Sequence, residues 1–208
     1  MRKVSLLLPL LFLLFFSFCS QPQQELNEVK IRLDKEPETL NPVNFADAGA
    51  LQIINLLFQS LLTVDLAEDK LKPALAAGMP EIIRQDTLTL FNYNIKDEAT
   101  WADGTPVTAD DIAFTLKVLK APLLSNENVK PQVEFIQDIR LDNTNPKKFT
   151  LVCSGYAPEM ELLTGDFFIL PSHLFDPKGL MKSLQVVDLS RGLSELENNE
   201  NLKAFAQQ

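Results

Sequence analysis

The pattern of apolar and polar residues changes sharply near the N-terminus. Met1–Lys3 is basic, Leu6–Phe18 is almost wholly apolar, and Ser20–Glu28 is polar and rich in glutamine. A basic start, a short apolar run and a polar exit are typical of a secretory signal peptide. We therefore predict a signal peptide over residues 1–18, with an uncleaved N-terminal anchor as the alternative. The anchor is disfavoured because a membrane span needs about 20 consecutive apolar residues.

Beyond this leader, period-two alternation and short apolar runs predict β-strands. The predicted strands are Val29–Leu33, Thr87–Ile95, Val133–Leu141, Lys148–Cys153 and Phe167–Leu170. Apolar residues at helical spacing predict helices over Ala48–Leu62 and Pro158–Leu163, and a mostly helical tail from Leu180. Because strands and helices are interspersed along the chain, the predicted fold class is mixed α/β.

A further predicted helix has the clearest start signal. Thr108 precedes the helical spacing, and Asp111 is placed to accept a hydrogen bond from the backbone N–H of Thr108 in a capping box. Pro122 ends this helix. In the preceding loop, Trp101–Val107, the pair Asp103–Gly104 predicts a tight turn because glycine takes a positive φ without steric cost.

The composition is that of a globular protein with an acidic surface. The 208 residues are 46% hydrophobic and 23% charged, and the formal net charge is −9. This length allows one domain of ordinary size or two small lobes. The negative charge argues against nucleic acid as a partner, since its phosphates bind basic side chains, and against docking on anionic lipid headgroups.

The two cysteines have different surroundings. Cys153 lies in an alternating apolar run, which predicts a buried thiol. Cys19 directly follows the apolar leader, and Phe16–Cys19 resembles a bacterial lipoprotein cleavage site, at which the cysteine becomes the first mature residue and is acylated. We predict lipidation of Cys19, with residues 19–28 as the lipidated cysteine and its polar tether. The alternative is a cysteine that merely ends the signal peptide.

No group of residues indicates an enzyme. Asp103, Asp110 and Asp111 form the densest carboxylate group, for which a metal or general-acid site is one interpretation. The favoured interpretation is a turn and a helix cap, because local geometry explains each residue. His173 has no recognisable catalytic partners and is interpreted as structural. Without a glycine-rich phosphate loop or a metal-binding histidine pair, we predict no catalytic residue, no metal site and no cofactor.

Several segments occur in the order found in one protein family. Ile31–Leu33 is followed by Glu36–Pro42. Trp101–Ile112 carries an Asp-Gly-x-Pro-x-Thr-Ala-Asp-Asp signature, and Ile169–His173 contains a Leu-Pro-x-His element. In these segments, which span most of Val29–Phe175, the chain resembles the extracellular solute-binding proteins of family 5, the oligopeptide, dipeptide and nickel type.

This resemblance implies a two-lobed α/β fold of the periplasmic-binding-protein type, class II, which closes on its ligand at a hinge. Members of the family are considerably longer, so it also implies an incomplete fold that holds only the N-terminal part of the first lobe region. The solute-binding part is expected over residues 29–179, and residues 180–208 are expected to form a helical, acidic tail.

The resemblance also implies a position for the ligand. The family's cleft lies between the lobes, and the loop before the first long helix contacts the main chain of bound peptides. The ligand-binding residues expected here are Asn44, Phe45, Ala46 and Asp47. A structural alternative stays open for this loop, in which Phe45 packs against the start of the helix and Asp47 caps it.

The function implied is that of an exported lipoprotein, held at the membrane by its lipid anchor, that delivers peptides or another small solute to an ABC permease and ATPase complex. Two alternatives stay open. One is a non-transport peptide receptor or chaperone on the same scaffold. The other is a non-functional truncated remnant, which predicts exposed apolar surface where a missing half packs.

Overall fold

The fold was taken from a computed structural model of the chain, which describes residues 30–33, 35–190 and 194–207. The chain divides into two compact units, Met1–Asp34 and Lys35–Gln208. Of the first unit only residues 30–33 are described, and they form no regular secondary structure. The predicted strand Val29–Leu33 is therefore wrong over these four residues, since alternation favours a strand only where a partner completes its hydrogen bonds. The predicted signal peptide and Cys19 lie outside the described residues.

The described strands belong to two antiparallel sheets. The first is a hairpin of β1 (Leu62–Asp65) and β2 (Lys70–Pro73). The second consists of β3 (Glu81–Gln85), β4 (Leu88–Asn94), β5 (Ile136–Leu141) and β6 (Lys148–Ser154), in the order β3–β4–β6–β5.

The described helices are mostly short. They are α1 (Ala48–Leu57), α2 (Ala109–Lys120), α3 (Lys130–Val133), α4 (Met160–Leu163), α5 (Ser172–Phe175), α6 (Val186–Ser190) and α7 (Glu200–Ala206), with 3₁₀ turns at Leu180–Ser183 and Ser194–Asn198. Within the described ranges, none of them has both the length and the hydrophobicity to cross a bilayer.

The helix predicted over Ala48–Leu62 is shorter in the structure than the spacing of its apolar residues indicates. It ends at Leu57 because Phe58 takes an extended conformation, with φ −126° and ψ 152°. Leu61 and Leu62 are fully buried where the chain enters β1, so their apolar character reflects the core rather than a longer helix.

The four-stranded sheet and α2 share one hydrophobic core. The inward face of β4 and β6 pairs Phe91 with Leu151 and Tyr93 with Phe149, and the latter two rings stack at 5.5 Å. Ile112 of α2 is fully buried in the same cluster. The strand predicted over Thr87–Ile95 and the pairing of β5 with β6 are thus confirmed. The predicted shared face of Phe149, Leu151 and Cys153 on β6 is buried in this core, and Val152 on the opposite face is buried as well.

Strand β3 is missing from the sequence prediction. It lies at the edge of the sheet, pairs only with β4, and is mostly exposed except at the half-buried Ile82. An edge strand with little buried surface lacks the alternation on which the prediction depends.

The segment after α4 is also predicted incorrectly, because Phe167–Leu170 is not a strand. Ile169 and Leu170 are buried as expected. The segment is held by isolated hydrogen bonds rather than by the regular hydrogen-bond ladder of a β-sheet. The Ile169 N–H donates to the carbonyl of Gln59 at 3.0 Å. These bonds place the segment beside the residues that connect α1 to β1.

The close approach at Gly165 gives a test of this packing. Its carbonyl accepts from the Leu62 N–H at 3.0 Å, and an added Cβ would lie 2.7 Å from the Cβ of Leu62. We expect Gly165→Ala to lower the free energy of unfolding by about 1–3 kcal/mol, because overpacking forces neighbours to shift. The measurement is urea unfolding followed by circular dichroism.

Gly78→Ala is the matched control, since a Cβ at that position meets nothing within 4 Å. An equal change in both variants would contradict the close contact between Gly165 and Leu62.

Candidate ligand-binding surface

The loop before α1 is fixed by hydrogen bonds within itself. The Asn41 side chain accepts from the N–H of Val43 at 2.9 Å, and the Asn41 carbonyl accepts from the N–H of Asn44 at 3.2 Å. Val43 is buried, whereas Asn44 and Phe45 are half-buried and Ala46 is exposed. The loop therefore has a defined shape and presents three of the four expected ligand-binding residues at the surface.

The fourth expected ligand-binding residue, Asp47, has a structural role at the start of α1. Its Oδ1 accepts from the N–H of Ala50 at 2.7 Å, and its backbone is extended, as at a helix N-cap. The expectation that Asp47 caps α1 is confirmed. A ligand role for Asp47 would have to use the remaining carboxylate oxygen.

Phe45 belongs to a row of four phenylalanine rings. Its ring lies 6.3 Å from that of Phe168, Phe168 lies 6.5 Å from Phe58, and Phe58 lies 6.4 Å from Phe175. These separations are in the range of favourable tilted and edge-to-face pairs. We call these four residues the phenylalanine row; it places an apolar, partly exposed surface next to the Asn44–Ala46 loop.

The buried carboxylate of Asp111 links the signature segment, Trp101–Ile112, to the helix that carries one ring of this row. Asp111, at 3% exposure, accepts at Oδ2 from the backbone N–H of Thr108 at 3.0 Å and from Nε1 of Trp101 at 3.3 Å. Its Oδ1 accepts from the backbone N–H and the hydroxyl of Ser172, at 3.0 and 2.7 Å. One side chain thus connects the signature loop, the start of α2 and the start of α5, which carries Phe175.

Thr115, one turn further along α2, adds a second connection. Its hydroxyl donates to the Asp111 carbonyl at 2.7 Å and accepts from the N–H of Leu170 at 2.9 Å. The segment that contains Phe168 is therefore fixed on both sides, by Gln59 and by α2.

The carboxylates of the signature act as turn and cap groups. Gly104 has φ +85°, as the predicted tight turn requires, and Asp103 accepts from the Thr105 N–H at 2.9 Å. This bond, followed by the hydrogen bond to His173, lowers the pKa of Asp103 to about 2. Asp111 forms its half of the capping box through the N–H of Thr108.

Asp103, Ser172 and His173 come together without the geometry of a catalytic triad. Nε2 of His173 lies 2.7 Å from Asp103, but the serine hydroxyl donates to the buried Asp111. Among the described residues no hydrogen bond links Ser172 to His173, so His173 is not placed to act as the base of a catalytic triad. No set of three or more His, Cys, Asp or Glu side chains in the described part of the chain is arranged to hold a metal ion.

A groove of about 810 Å³ lies beside the signature. It is lined by residues of the signature, α2, β5 and the segment after α5, among them Asp110, Asp138, Lys117 and Lys182. In the described ranges every buried polar side-chain atom has a hydrogen-bond partner, so none points into the groove unsatisfied. Its lining therefore carries charges of both signs.

Two curated proteins are similar to the chain in sequence. The periplasmic murein peptide-binding protein MppA of Escherichia coli is 28% identical over 98 residues, which cover 47% of this chain and 17% of MppA. The peptidoglycan-binding protein YepA of Agrobacterium fabrum is 30% identical over 128 residues, which cover 60% of this chain and 20% of YepA. No protein-family model matches the chain.

Solved structures share the fold over part of their length. The ABC transporter substrate binding protein CtaP of Listeria monocytogenes has a TM-score of 0.53 at 28% identity, covering 68% of this chain and 28% of CtaP. The unliganded open form of MppA has a TM-score of 0.58 at 20% identity, covering 71% and 30%. The oligopeptide binding protein of Thermus thermophilus, complexed with a pentapeptide, has a TM-score of 0.56 at 22% identity, covering 81% and 28%.

In sequence and in fold, the chain resembles the family 5 solute-binding proteins. The resemblance drawn from the ordered motifs is thereby confirmed, and so is the α/β, periplasmic-binding-protein-like fold class. The matched part is a fifth or less of the curated relatives and 27–32% of the solved chains. The names of the two curated relatives describe binding rather than catalysis.

Phe58, Phe168 and Phe175 were not expected at a candidate ligand surface. The sequence contains 14 phenylalanines, and the residues next to them in the sequence do not indicate which rings stay accessible. The expected loop itself stays a prediction, with Asn44, Phe45 and Ala46 accessible and Asp47 partly engaged.

Proposed function

We propose that the chain is the peptide-binding lipoprotein component of an ABC importer, exported and held at the outer side of a membrane through acylated Cys19. The observation that carries the peptide-binding part is the phenylalanine row beside the Asn44–Ala46 loop. The names of relatives support the ligand class, since MppA is a murein peptide-binding protein and the Thermus protein was solved with a pentapeptide.

The loop offers the backbone groups that such a ligand needs. Within the described residues, the backbone N–H groups of Phe45 and Ala46 have no hydrogen-bond partner. Extended peptides are held largely through main-chain hydrogen bonds, while adjoining pockets accept varied side chains. In this proposal the loop pairs with the peptide backbone and the rings of Phe45 and Phe168 pack against its side chains.

Ligand retention would come from hinge closure. A peptide that contacts two lobes shifts the population towards the closed state by its differential affinity for that state. In this proposal the described residues contribute one wall of such a cleft. Delivery to a permease and ATPase complex is part of the same proposal.

Of the two alternatives, a remnant without function is favoured by one observation. Leu56 and Leu57 of α1 are 70% and 60% exposed, and a remnant predicts exposed apolar surface. A remnant would bind no peptide, so the experiment described next separates it from the proposed function.

The test of peptide binding is native mass spectrometry of the full chain in detergent micelles with a library of tri- to pentapeptides. We expect bound peptide with the wild type and about tenfold weaker binding with Phe168→Ala. The loss follows because an aromatic contact contributes about 0.5–1.5 kcal/mol beyond buried area, and 1.4 kcal/mol is tenfold in affinity.

Tyr156→Ala is the matched control. Tyr156 is an accessible aromatic residue, but it lies outside the row, with the Arg84 guanidinium 3.4 Å above its ring. The proposal fails if the wild type retains no peptide, or if both substitutions weaken binding equally.

The reactivity of the two cysteine thiols tests whether Cys19 carries the lipid anchor. Burial raises the pKa of Cys153 to about 12 and the residue is fully buried, so its thiol should not react in the native protein at neutral pH. We expect protein extracted from the cell envelope to have no reactive thiol when native and one when denatured, because Cys19 is a thioether. The intact mass of the mature protein should equal that of a chain that begins at Cys19 and carries acyl chains on that residue.

Cys153→Ser controls for the assignment and should leave no thiol after denaturation. Two thiols per denatured wild-type chain, or an unmodified mature N-terminus, would rule out lipidation.

A further inference from the structure

The groove beside the signature has the size and the wall composition of a ligand pocket. Its volume is about 810 Å³. Small-molecule sites are mostly apolar clefts of roughly 300–1,000 Å³ with a few well-placed polar groups. Apolar walls come from Phe114 of α2, Ile139 and Leu141 of β5, and Met181 and Val186 of the segment after α5. None of the four rings of the phenylalanine row lines this groove, so it is separate from the surface assigned to peptide.

Several charged groups of the lining already have partners within the protein. The two oxygens of Asp176 accept from the backbone N–H groups of Leu180 at 2.7 Å and Met181 at 2.8 Å. Asp111 also uses both of its oxygens, and Nε2 of His173 is bonded to the signature turn. These three side chains maintain the local structure and are poor candidates for holding a ligand.

Lys117 of α2 differs from these groups because its charge lacks a counter-ion. The side chain is half-buried, and its Nζ donates to the Met181 carbonyl at 3.2 Å, although an ammonium carries further N–H donors. In the part of the chain that the structure describes, no carboxylate lies within 4.0 Å of this ammonium. Burial lowers the pKa of Lys117, and the more distant charges of Asp110 and Asp176 only partly offset this effect. A carboxylate bound here would supply the missing partner.

We propose that this groove is a second ligand site, which binds a molecule with one carboxylate on an apolar body. Lys117 pairs with the carboxylate, and the side chains of Ile139, Leu141 and Met181 contact the apolar body. Two sources share this chemistry, namely a fatty acid and the C-terminal residue of an apolar peptide. The inference does not rest on the proposed function, since it depends on the groove and on Lys117 alone.

The other charges of the lining restrict the ligand to a single negative charge. Asp110, which is exposed, and Asp138, which is half-buried on β5, also line the groove. Like charges brought together in a binding site oppose association. The two carboxylates therefore disfavour phosphate and dicarboxylates, whereas a monocarboxylate needs only the one cation that Lys117 provides.

The experiment is an NMR titration of the full chain in detergent micelles, followed at the backbone N–H of Met181. The probes are 4-methylpentanoate with its amide and N-acetyl-leucine with its amide, so each pair differs only in the carboxylate. We expect the acid of at least one pair to bind about tenfold more tightly than its amide, because a charge-assisted hydrogen bond is stronger than a neutral one. The pair with the larger preference identifies the source, fatty acid or peptide C-terminus.

Two substitutions assign the preference to this groove. Lys117→Gln removes the charge but keeps a donor for the Met181 carbonyl, so it should abolish the preference for the acid and leave amide binding unchanged. Lys178→Gln is the matched control, since Lys178 is exposed and does not line the groove. A purely structural role of Lys117 would change the free energy of unfolding without changing the ratio of acid to amide affinity.

A substitution on the opposite wall gives a second test that keeps Lys117 intact. Leu141→Glu adds a carboxylate to the groove and should weaken binding of the acid about tenfold, because like charges repel. Val64→Glu is its control, since Val64 is also 40% exposed but lies in β1, outside the groove.

Three outcomes overturn the inference. They are equal affinity for acid and amide in both pairs, a preference for the acid that survives Lys117→Gln, and an equal loss of acid binding in Leu141→Glu and Val64→Glu. Peptide binding at the phenylalanine row is measured separately with Phe168→Ala, so the second site and the proposed function fail independently.

Discussion

The buried carboxylate of Asp111 is the interaction on which the arrangement of the candidate surface depends. Two oxygens accept four hydrogen bonds, from the signature loop on one side and from the start of α5 on the other. A buried carboxylate is costly unless its oxygens are fully satisfied, and hydrogen bonds to a charged acceptor are stronger than neutral ones. The same residue therefore begins α2 and fixes the position of α5 relative to it.

This constraint gives the acidic residues of the signature a structural role. Asp103 and Asp111 shape a turn and a helix start, and Ser172 and His173 are their partners. The bonds hold the segment that carries Phe168 and Phe175 against Phe58. The signature thus acts on the candidate surface indirectly, by positioning aromatic rings that it does not itself contain.

The two ends of the phenylalanine row have different surroundings. Phe45 and Phe168 adjoin the loop with accessible backbone groups, whereas Phe58 and Phe175 adjoin the exposed leucines of α1 and α5. The first end adjoins the loop that the proposed function assigns to ligand.

The sequence predicts best those elements that are determined locally. The α2 start depends on Thr108 and Asp111, and the core face of β6 on apolar residues at every second position from Phe149 to Cys153, so both are visible in the chain itself. Edge strand β3 is missed because only one of its residues is even half-buried, so its sequence shows no alternation of apolar and polar positions. Phe168 is missed because its place depends on contacts with Gln59 and α2, which are distant in sequence.

Backbone hydrogen exchange of the Asp111→Asn variant tests the central claim most directly. Asparagine keeps the volume of the side chain but has one acceptor oxygen in place of two. We expect faster exchange over residues 170–175, most clearly at the Ser172 N–H, with β4 and β6 unchanged and with the exposed Asp110→Asn indistinguishable from wild type. Unchanged exchange at Ser172, or an equal increase throughout the sheet, would contradict the role given to Asp111.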